Sequence, residues 1–402
     1  MKSQLPSDPL LALQWHLSVI GRLGFTTANN TDGLARIWAD YTGLGVNIGI
    51  WDDGVEGSHW DIAPNYNAAL QIFGNDGLPF DDTSVHATSV AGLIGAAANG
   101  RGGVGVAYNA SLTSVRIFGG NDDINLHWQN YLATLDHLQD FDVTNHSYGG
   151  APDFIIAGDE AKFEASLVSG RNGLGTINLK AAGNSNLDGN GSSVDASRGT
   201  ISVAATDASG QIKSYSSYGA HILVAAPAGS VTTDRIGASL GYNGTINNAL
   251  ILGGDYTNAF GGTSAATPIT AGVVALMLDA NAGLGWRDVQ NILAYSAMAT
   301  GSLQTGVRTN ENSKWGFDGA NNWNGGGLHY SEDYGYGLLN AHAAVLMAEV
   351  WTRLYGVAGA SASSGAGSSP ARLIRRCRWS SSSGSTRAPG ASCSTARVRR
   401  SR

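Results

Sequence analysis

The segment Gly261-Gly262-Thr263-Ser264-Ala265-Ala266-Thr267-Pro268, with the apolar stretch that follows it to Leu278, constrains this chain more than any other. A glycine pair permits a tight turn of the backbone. Ile269, Val273, Val274, Leu276, Met277 and Leu278 then extend the apolar pattern too far for one strand. The spacing predicts a loop entering a buried helix, with Ser264 in its first turn. Pro268 fits an early helical position, where N–H groups have no intrahelical acceptor. A serine so placed has free backbone N–H groups beside it and the positive end of the helix dipole behind it, so negative charge at its hydroxyl is favoured. A plain N-cap on a core helix reads equally well from these residues alone, and the rest of the chain decides.

Gly45-Val46-Asn47-Ile48-Gly49-Ile50-Trp51-Asp52-Asp53-Gly54 reads as a buried central strand with two acids at its carboxyl end, where α/β sheets build their sites. His86 opens Ala87-Thr88-Ser89-Val90-Ala91-Gly92-Leu93-Ile94-Gly95, small and apolar at helical spacing. The loop Asn99-Gly100-Arg101-Gly102-Gly103 leads to strands expected at 104–107 and 112–117, a helix around 126–138, and a strand at 141–145 before Ser147-Tyr148-Gly149. Residues 176–182 form another expected strand, stopped by Gly183-Asn184, and 201–205 and 222–226 form two more. Helices at 286–293 and 341–351 flank a Gly/Asn-rich, hairpin-like region at 316–327. Strands alternating with helices imply an α/β fold, a mostly parallel sheet covered on both faces in one large domain.

Charge divides the chain. Of 24 Lys and Arg, nine Arg follow Val357, where Lys, Asp and Glu are absent; the body keeps 15 basic against 31 acidic residues. That balance argues against nucleic acid as the body's partner and suits an extracellular or salt-exposed enzyme, or one with cationic substrates. No run of eighteen apolar residues predicts a membrane span, and the opening residues lack the apolar core of a secretory signal. Cys377 and Cys393 are the only cysteines and both lie in the tail, so the body holds no disulfide. Beyond residue 355 the chain becomes Ser, Gly, Ala and Arg, too poor in apolar residues to fold, and is expected to be disordered. Arginine without Lys, Asp or Glu is what a GC-rich gene yields out of frame, so 356–402 reads as a frameshift product or unselected extension. An Arg-rich, phosphate-binding arm is the competing reading.

Asp52, His86 and Ser264 are an acid at a strand end and two residues heading small-residue helices, in the chain order acid, base, nucleophile. Ile50-Trp51-Asp52-Asp53-Gly54, His86-Ala87-Thr88-Ser89-Val90-Ala91-Gly92 and Gly262-Thr263-Ser264-Ala265-Ala266-Thr267-Pro268 together resemble the motifs of subtilisin-like serine proteases. Finer features resemble the kexin/furin branch in its bacterial form: the doubled acid Asp52-Asp53, Gly103-Val104-Gly105-Val106-Ala107-Tyr108-Asn109, Trp286-Arg287-Asp288-Val289-Gln290 and Asp333-Tyr334-Gly335-Tyr336-Gly337. Ala87 stands where the family usually has Gly, and the β-rich domain that usually follows in kexins has no counterpart in this sequence. The resemblance implies a three-layer α/β fold over 1–355, a serine endopeptidase acting as a monomer on polypeptides, and an extracellular or cell-surface location.

It further implies roles for individual residues. Asn184 is the side-chain oxyanion donor, Ser147, Tyr148 and Gly149 pair with extended substrate, and Asp53 borders the S2 pocket. Asp195, and Asp153 with its register uncertain by one residue, fall where the branch has acids at S1, implying basic residues at P1 and P2. Ser217 replaces a glutamate that supports calcium behind S1 in furin, which weakens the P1 expectation. Asp8 and Asp61 match the carboxylates of a Ca²⁺ site, with carbonyl oxygens expected from the loop at 97–103. Asp188-Gly189-Asn190-Gly191-Ser192 is calcium-compatible but reads better as a polar turn. An inactive protease-fold binder and a broad-specificity subtilisin-type protease stay open as alternatives. An α/β-hydrolase esterase is excluded, since it needs Gly-x-Ser-x-Gly with histidine last in the chain.

Overall fold

Six apolar runs pair into one sheet in this computed structural model, which describes residues 5–23, 31–72, 74–119, 124–149, 156–317 and 328–355. The strands are β1 (Asn47–Asp52), β2 (Ser111–Arg116), β3 (Val143–His146), β4 (Ile177–Ala181), β5 (Ile201–Thr206) and β6 (Ile222–Pro227). They are parallel throughout, in the order β2-β1-β3-β4-β5-β6. Burial of nearly every strand residue explains why the runs are continuous rather than alternating.

Helices α1 (Trp15–Ile20), α2 (Asp32–Ile37), α3 (His86–Gly95), α4 (Ile124–Leu135), α5 (Asp159–Ser169), α6 (Thr263–Ala280), α7 (Trp286–Ser296), α8 (Ser302–Thr305) and α9 (Ala341–Tyr355) complete the main architecture. On one face α3 and α6 pack against the sheet, and Ile48, Ile50, Val90, Val203, Ile269 and Val273 share one core. On the other, Trp51, Val115, Tyr131, Phe141 and Phe163 form a second core under α4 and α5. Trp51 is fully buried, meets Phe141 edge-on at 5.4 Å and donates its indole N–H to Thr134 Oγ1 at 3.1 Å. A large side chain buried this way contributes about 1.5–3 kcal/mol. The fold is the expected three-layer α/β sandwich.

Short strands lie outside the main sheet. β7 (Thr232–Thr233) pairs with β10 (Tyr256–Thr257), β8 (Thr245–Ile246) with β9 (Ala249–Leu250), and β11 (Gly316–Phe317) with β12 (His329–Tyr330). The first of these explains why α3 is built from small residues. Thr232 and Thr233 hydroxyls donate to the carbonyls of Ser89 and Thr88, and Ser89 Oγ donates back to the Thr233 carbonyl. A Cβ on Gly92 would lie 2.2 Å from Thr233 Oγ1, so a larger residue there would push the helix away.

The strand order reverses at β1: the chain goes out to β2 and returns on the other side as β3. Such a switch point leaves a crevice at the carboxyl ends of its strands. Asp52 ends β1 and Ser147 follows β3, so both stand at its rim.

Two expectations need correction. Residues 104–107 are not a strand; Gly105, Val106 and Ala107 donate to the carbonyls of Ala96, Leu93 and Ile94, so this buried segment caps the end of α3. Pro268 is the sixth residue of α6, past the turn where a missing N–H costs nothing. The carbonyl it leaves without a helical donor is that of Ser264, and Ser147 Oγ donates to it at 3.0 Å. α6 is apolar and long enough to cross a membrane, but it is 89% buried within the protein and serves as its core helix. The described residues belong to one compact unit, and residues 356–402 lie outside them.

Candidate active site

Both acids at the end of β1 hold His86, in different ways. Asp52 is 2% exposed, and each of its carboxylate oxygens lies 2.9 Å from His86 Nδ1. Asp53 instead accepts the backbone N–H groups of His86 at 2.9 Å and Ala87 at 2.7 Å, capping α3 from outside the helix. The ring is thus fixed by one carboxylate and the backbone beneath it by the next. Phe260 packs edge-on against the imidazole at 5.0 Å.

Burial disfavours the imidazolium, but the charge and hydrogen bond of Asp52, with the charge of Asp53, outweigh it; the His86 pKa lies above its ordinary value. Asp53 is pushed up to about 6, by burial first and the charge of Asp52 second, against the two N–H groups it accepts.

Ser264 is the second residue of α6, in the turn where N–H groups lack helical acceptors. Its hydroxyl donates to the Ser147 carbonyl at 2.9 Å, so a rotation about Cα–Cβ is needed to turn it toward His86. Gly262, just before the helix, has φ 79°, and a Cβ there would sit 3.1 Å from the Asn184 amide. Glycine therefore lets Asn184 close in. Asn184 Oδ1 accepts from Thr263 N at 2.9 Å and Thr263 Oγ1 at 3.1 Å, which anchors the amide to the residue before Ser264 and leaves Nδ2 as its donor group.

Asp52, Asp53, His86, Ser264 and the segment Ser147-Tyr148-Gly149 line a single open cleft of about 480 Å³. Asp195 stands on the wall of a neighbouring cavity of about 360 Å³, and Lys180 Nζ lies 2.8 Å from its Oδ1. Asp153 falls outside the described residues. Ser217 sits behind Gly183, donating its N–H to that residue's carbonyl at 2.9 Å. Lys180 and Phe260 were missed in the sequence. A lysine in a strand otherwise free of charge is a usable signal for the first; nothing local marks the second.

Asp8 and Asp61 come together around Asn99. Asp8 Oδ1 accepts the N–H groups of Asn99, Gly100 and Arg101 at 3.0–3.2 Å, while its buried Oδ2 has no hydrogen-bond partner among the described residues. Asp61 accepts from Asn99 Nδ2, Gly103 N and Tyr256 OH, and burial, with Asp8 adding a smaller push, raises it to about 7. Two close carboxylates with an orphaned oxygen fit a hard cation such as Ca²⁺. The loop contributes N–H groups to Asp8 where only carbonyl oxygens were expected. No group of three or more His, Cys, Asp or Glu suited to a metal occurs among the described residues.

Comparison with known proteins gives the family of the chain. The Subtilase family profile (Peptidase S8) matches residues 43–337. The chain belongs to the subtilase family. It is 31% identical to the Aeromonas extracellular serine protease of Aeromonas sobria over 402 residues, covering 85% of this chain and 64% of that one. It is 31% identical to human furin over 376 residues, covering 87% of this chain and 42% of furin. The chain therefore spans about two fifths to just under two thirds of the length of these relatives. A crystal structure of the Aeromonas sobria serine protease superposes with a TM-score of 0.71 at 27% identity, covering 86% of this chain and 68% of that one.

Proposed function

We propose that the chain is a serine endopeptidase that cleaves polypeptides through Asp52, His86, Ser264 and Asn184. The observation that carries this reading is the gathering of a fixed Asp52–His86 pair and Ser264 in one cleft. Extended substrate adds as a strand to the backbone of Ser147-Tyr148-Gly149. Ser264 Oγ attacks the scissile carbonyl as His86 Nε2 takes its proton, and His86 then protonates the leaving amine. Asp52 keeps Nδ1 protonated and stabilises the imidazolium. Asn184 Nδ2 and the Ser264 N–H stabilise the oxyanion, and water repeats the sequence to release the acid.

The furin-like relatives support a preference for basic residues, which we place at P2, where the Asp53 carboxylate lines the cleft. At P1 the expected acid, Asp195, has its charge engaged by Lys180. Calcium would be held by Asp8 and Asp61 and supplies positive charge that ties the N-terminal segment to the loop at 99–103. Residues 1–355 make up the catalytic unit, which acts as a monomer outside the cell or at its surface, as the extracellular Aeromonas relative suggests.

A fluorophosphonate probe tests the reading: it labels Ser264 in the wild type and fails on Ser264→Ala and on heat-unfolded protein. Casein turnover falls at least about 10³-fold in Ser264→Ala, His86→Ala and Asp52→Asn with the circular dichroism of the wild type. An unlabelled, folded wild type would instead identify an inactive protease-fold binder.

A further inference from the structure

Lys180, near the end of β4, is 2% exposed. A lysine is not left in such a place without partners. Its ammonium donates to the carbonyls of Tyr148 and Ala181, lies 2.8 Å from Asp195 Oδ1, and stands 5.3 Å from the Tyr148 ring centre. Two hydrogen bonds thus hold the ammonium in place, and its charge faces Asp195. Asp195, itself 5% exposed, has no hydrogen-bond partner for Oδ1 among the described residues, so this ammonium is what balances its charge.

The pair lies under the substrate-binding segment: a Cβ built on Gly149 would be 3.5 Å from Lys180 Nζ. The cavity holding it meets the active-site cleft, since Phe118, Tyr148 and Gly149 line both. Trp128, Tyr131, Ile156 and Val194 make the rest of its wall largely apolar. Among the described residues the cavity's other carboxylate is Asp159, which accepts from Ser193 Oγ at 3.0 Å and Glu160 N at 2.6 Å, and burial raises its pKa.

We propose that Lys180 is a specificity-determining residue: it occupies the cation position of the P1 pocket from within, so the enzyme selects uncharged, apolar side chains at P1. This rests on the reading of Ser147-Tyr148-Gly149 as the substrate-binding segment. A substrate arginine would have to displace a tethered ammonium, which competes at high effective concentration. Otherwise it would bring a second positive charge into a confined site whose acid is already balanced.

The test is kcat/KM on tetrapeptide p-nitroanilides that differ only at P1, with the full chain. Wild type should cleave after Leu or Phe about tenfold or more faster than after Arg or Lys. Lys180→Ala should reverse the order by raising the Arg value on the order of 10²-fold, and should gain competitive inhibition by benzamidine. Lys180→Ala/Asp195→Asn, which buries neither charge, should again favour Leu and ignore benzamidine. A wild type that prefers Arg overturns the proposal, whether or not the variants fold. So does a folded Lys180→Ala with an unchanged P1 ratio. Calorimetric benzamidine binding to Ser264→Ala and to Ser264→Ala/Lys180→Ala decides the pocket independently of turnover: binding only to the latter supports the proposal, and equal binding overturns it. Absence of hydrolysis by the wild type counts against the catalytic reading alone.

Discussion

Ser147 and Ser264 hold each other reciprocally. Each hydroxyl donates to the other's carbonyl, Ser147 Oγ at 3.0 Å and Ser264 Oγ at 2.9 Å. The first bond is made necessary by Pro268, which cannot supply the helical N–H that Ser264 would otherwise receive. The second directs the Ser264 hydroxyl proton to Ser147, so on the proposed mechanism substrate docking on Ser147-Tyr148-Gly149 and release of the hydroxyl toward His86 are linked in space.

Ser147→Ala should therefore cost stability before it costs chemistry. It leaves a buried carbonyl in α6 and the Asn145 Nδ2 group without their partner, a loss of roughly 1–3 kcal/mol. Urea unfolding measures it. An unchanged midpoint would mean that the reciprocal bond contributes nothing.

If Asn184 is the oxyanion donor proposed above, Asn184→Ala should lower kcat by about 10²–10³-fold and leave KM nearly unchanged, because Nδ2 would then meet charge that exists only in the transition state. The magnitude is that of the corresponding loss in subtilisin, a member of the same family. A rise in KM at constant kcat would assign Asn184 to ground-state binding instead.

In the proposed mechanism His86 must be neutral to accept the Ser264 proton, and its pKa is raised above 6.5 by Asp52 and Asp53 against burial. The rate should thus rise with pH through a limb above 6.5. Asp53→Asn removes one of the raising charges and should move that limb to lower pH. The ion pair's contribution to folding has the opposite trend: it is fully present below 6.5 and is lost as pH rises through the folded pKa. A pH–rate profile of Asp53→Asn superposable on the wild type would refute the assignment.

Removing calcium should destabilise the body. A cation at Asp8 and Asp61 that binds only the folded chain adds about 2.7 kcal/mol at a hundredfold excess over its Kd. EDTA should lower the Tm of the wild type and leave that of Asp8→Asn/Asp61→Asn unchanged. Equal Tm values for the wild type with and without chelator would remove calcium from the account.

Much of the site was legible because its chemistry uses residue types that are costly elsewhere. Paired acids at a strand end, a histidine opening a helix of small residues, and a serine after two glycines each stand out against an apolar background. Lys180 is not legible as part of the site because the apolar members of residues 176–182 carry the strand pattern on their own. Residues 104–107 looked like a strand because burial and small apolar residues suit a helix-capping segment equally well. Pro268 was misjudged by a few residues, since the sequence does not tell where the first turn begins until Gly262 is seen with a positive φ.

The placement of α6 has a consequence for how the chain reaches its final state. The helix contacts β3, β4, β5 and β6 together and also packs on α3, yet it enters the sequence after all of them. Contacts of such long sequence separation form late and slowly, since loop closure is paid in full before they contribute. Ser264 therefore meets His86 only when the sheet is already paired and its last internal helix seated. On the proposed mechanism, a half-folded chain, whose exposed segments are the easiest to cut, would lack the means to cut its neighbours.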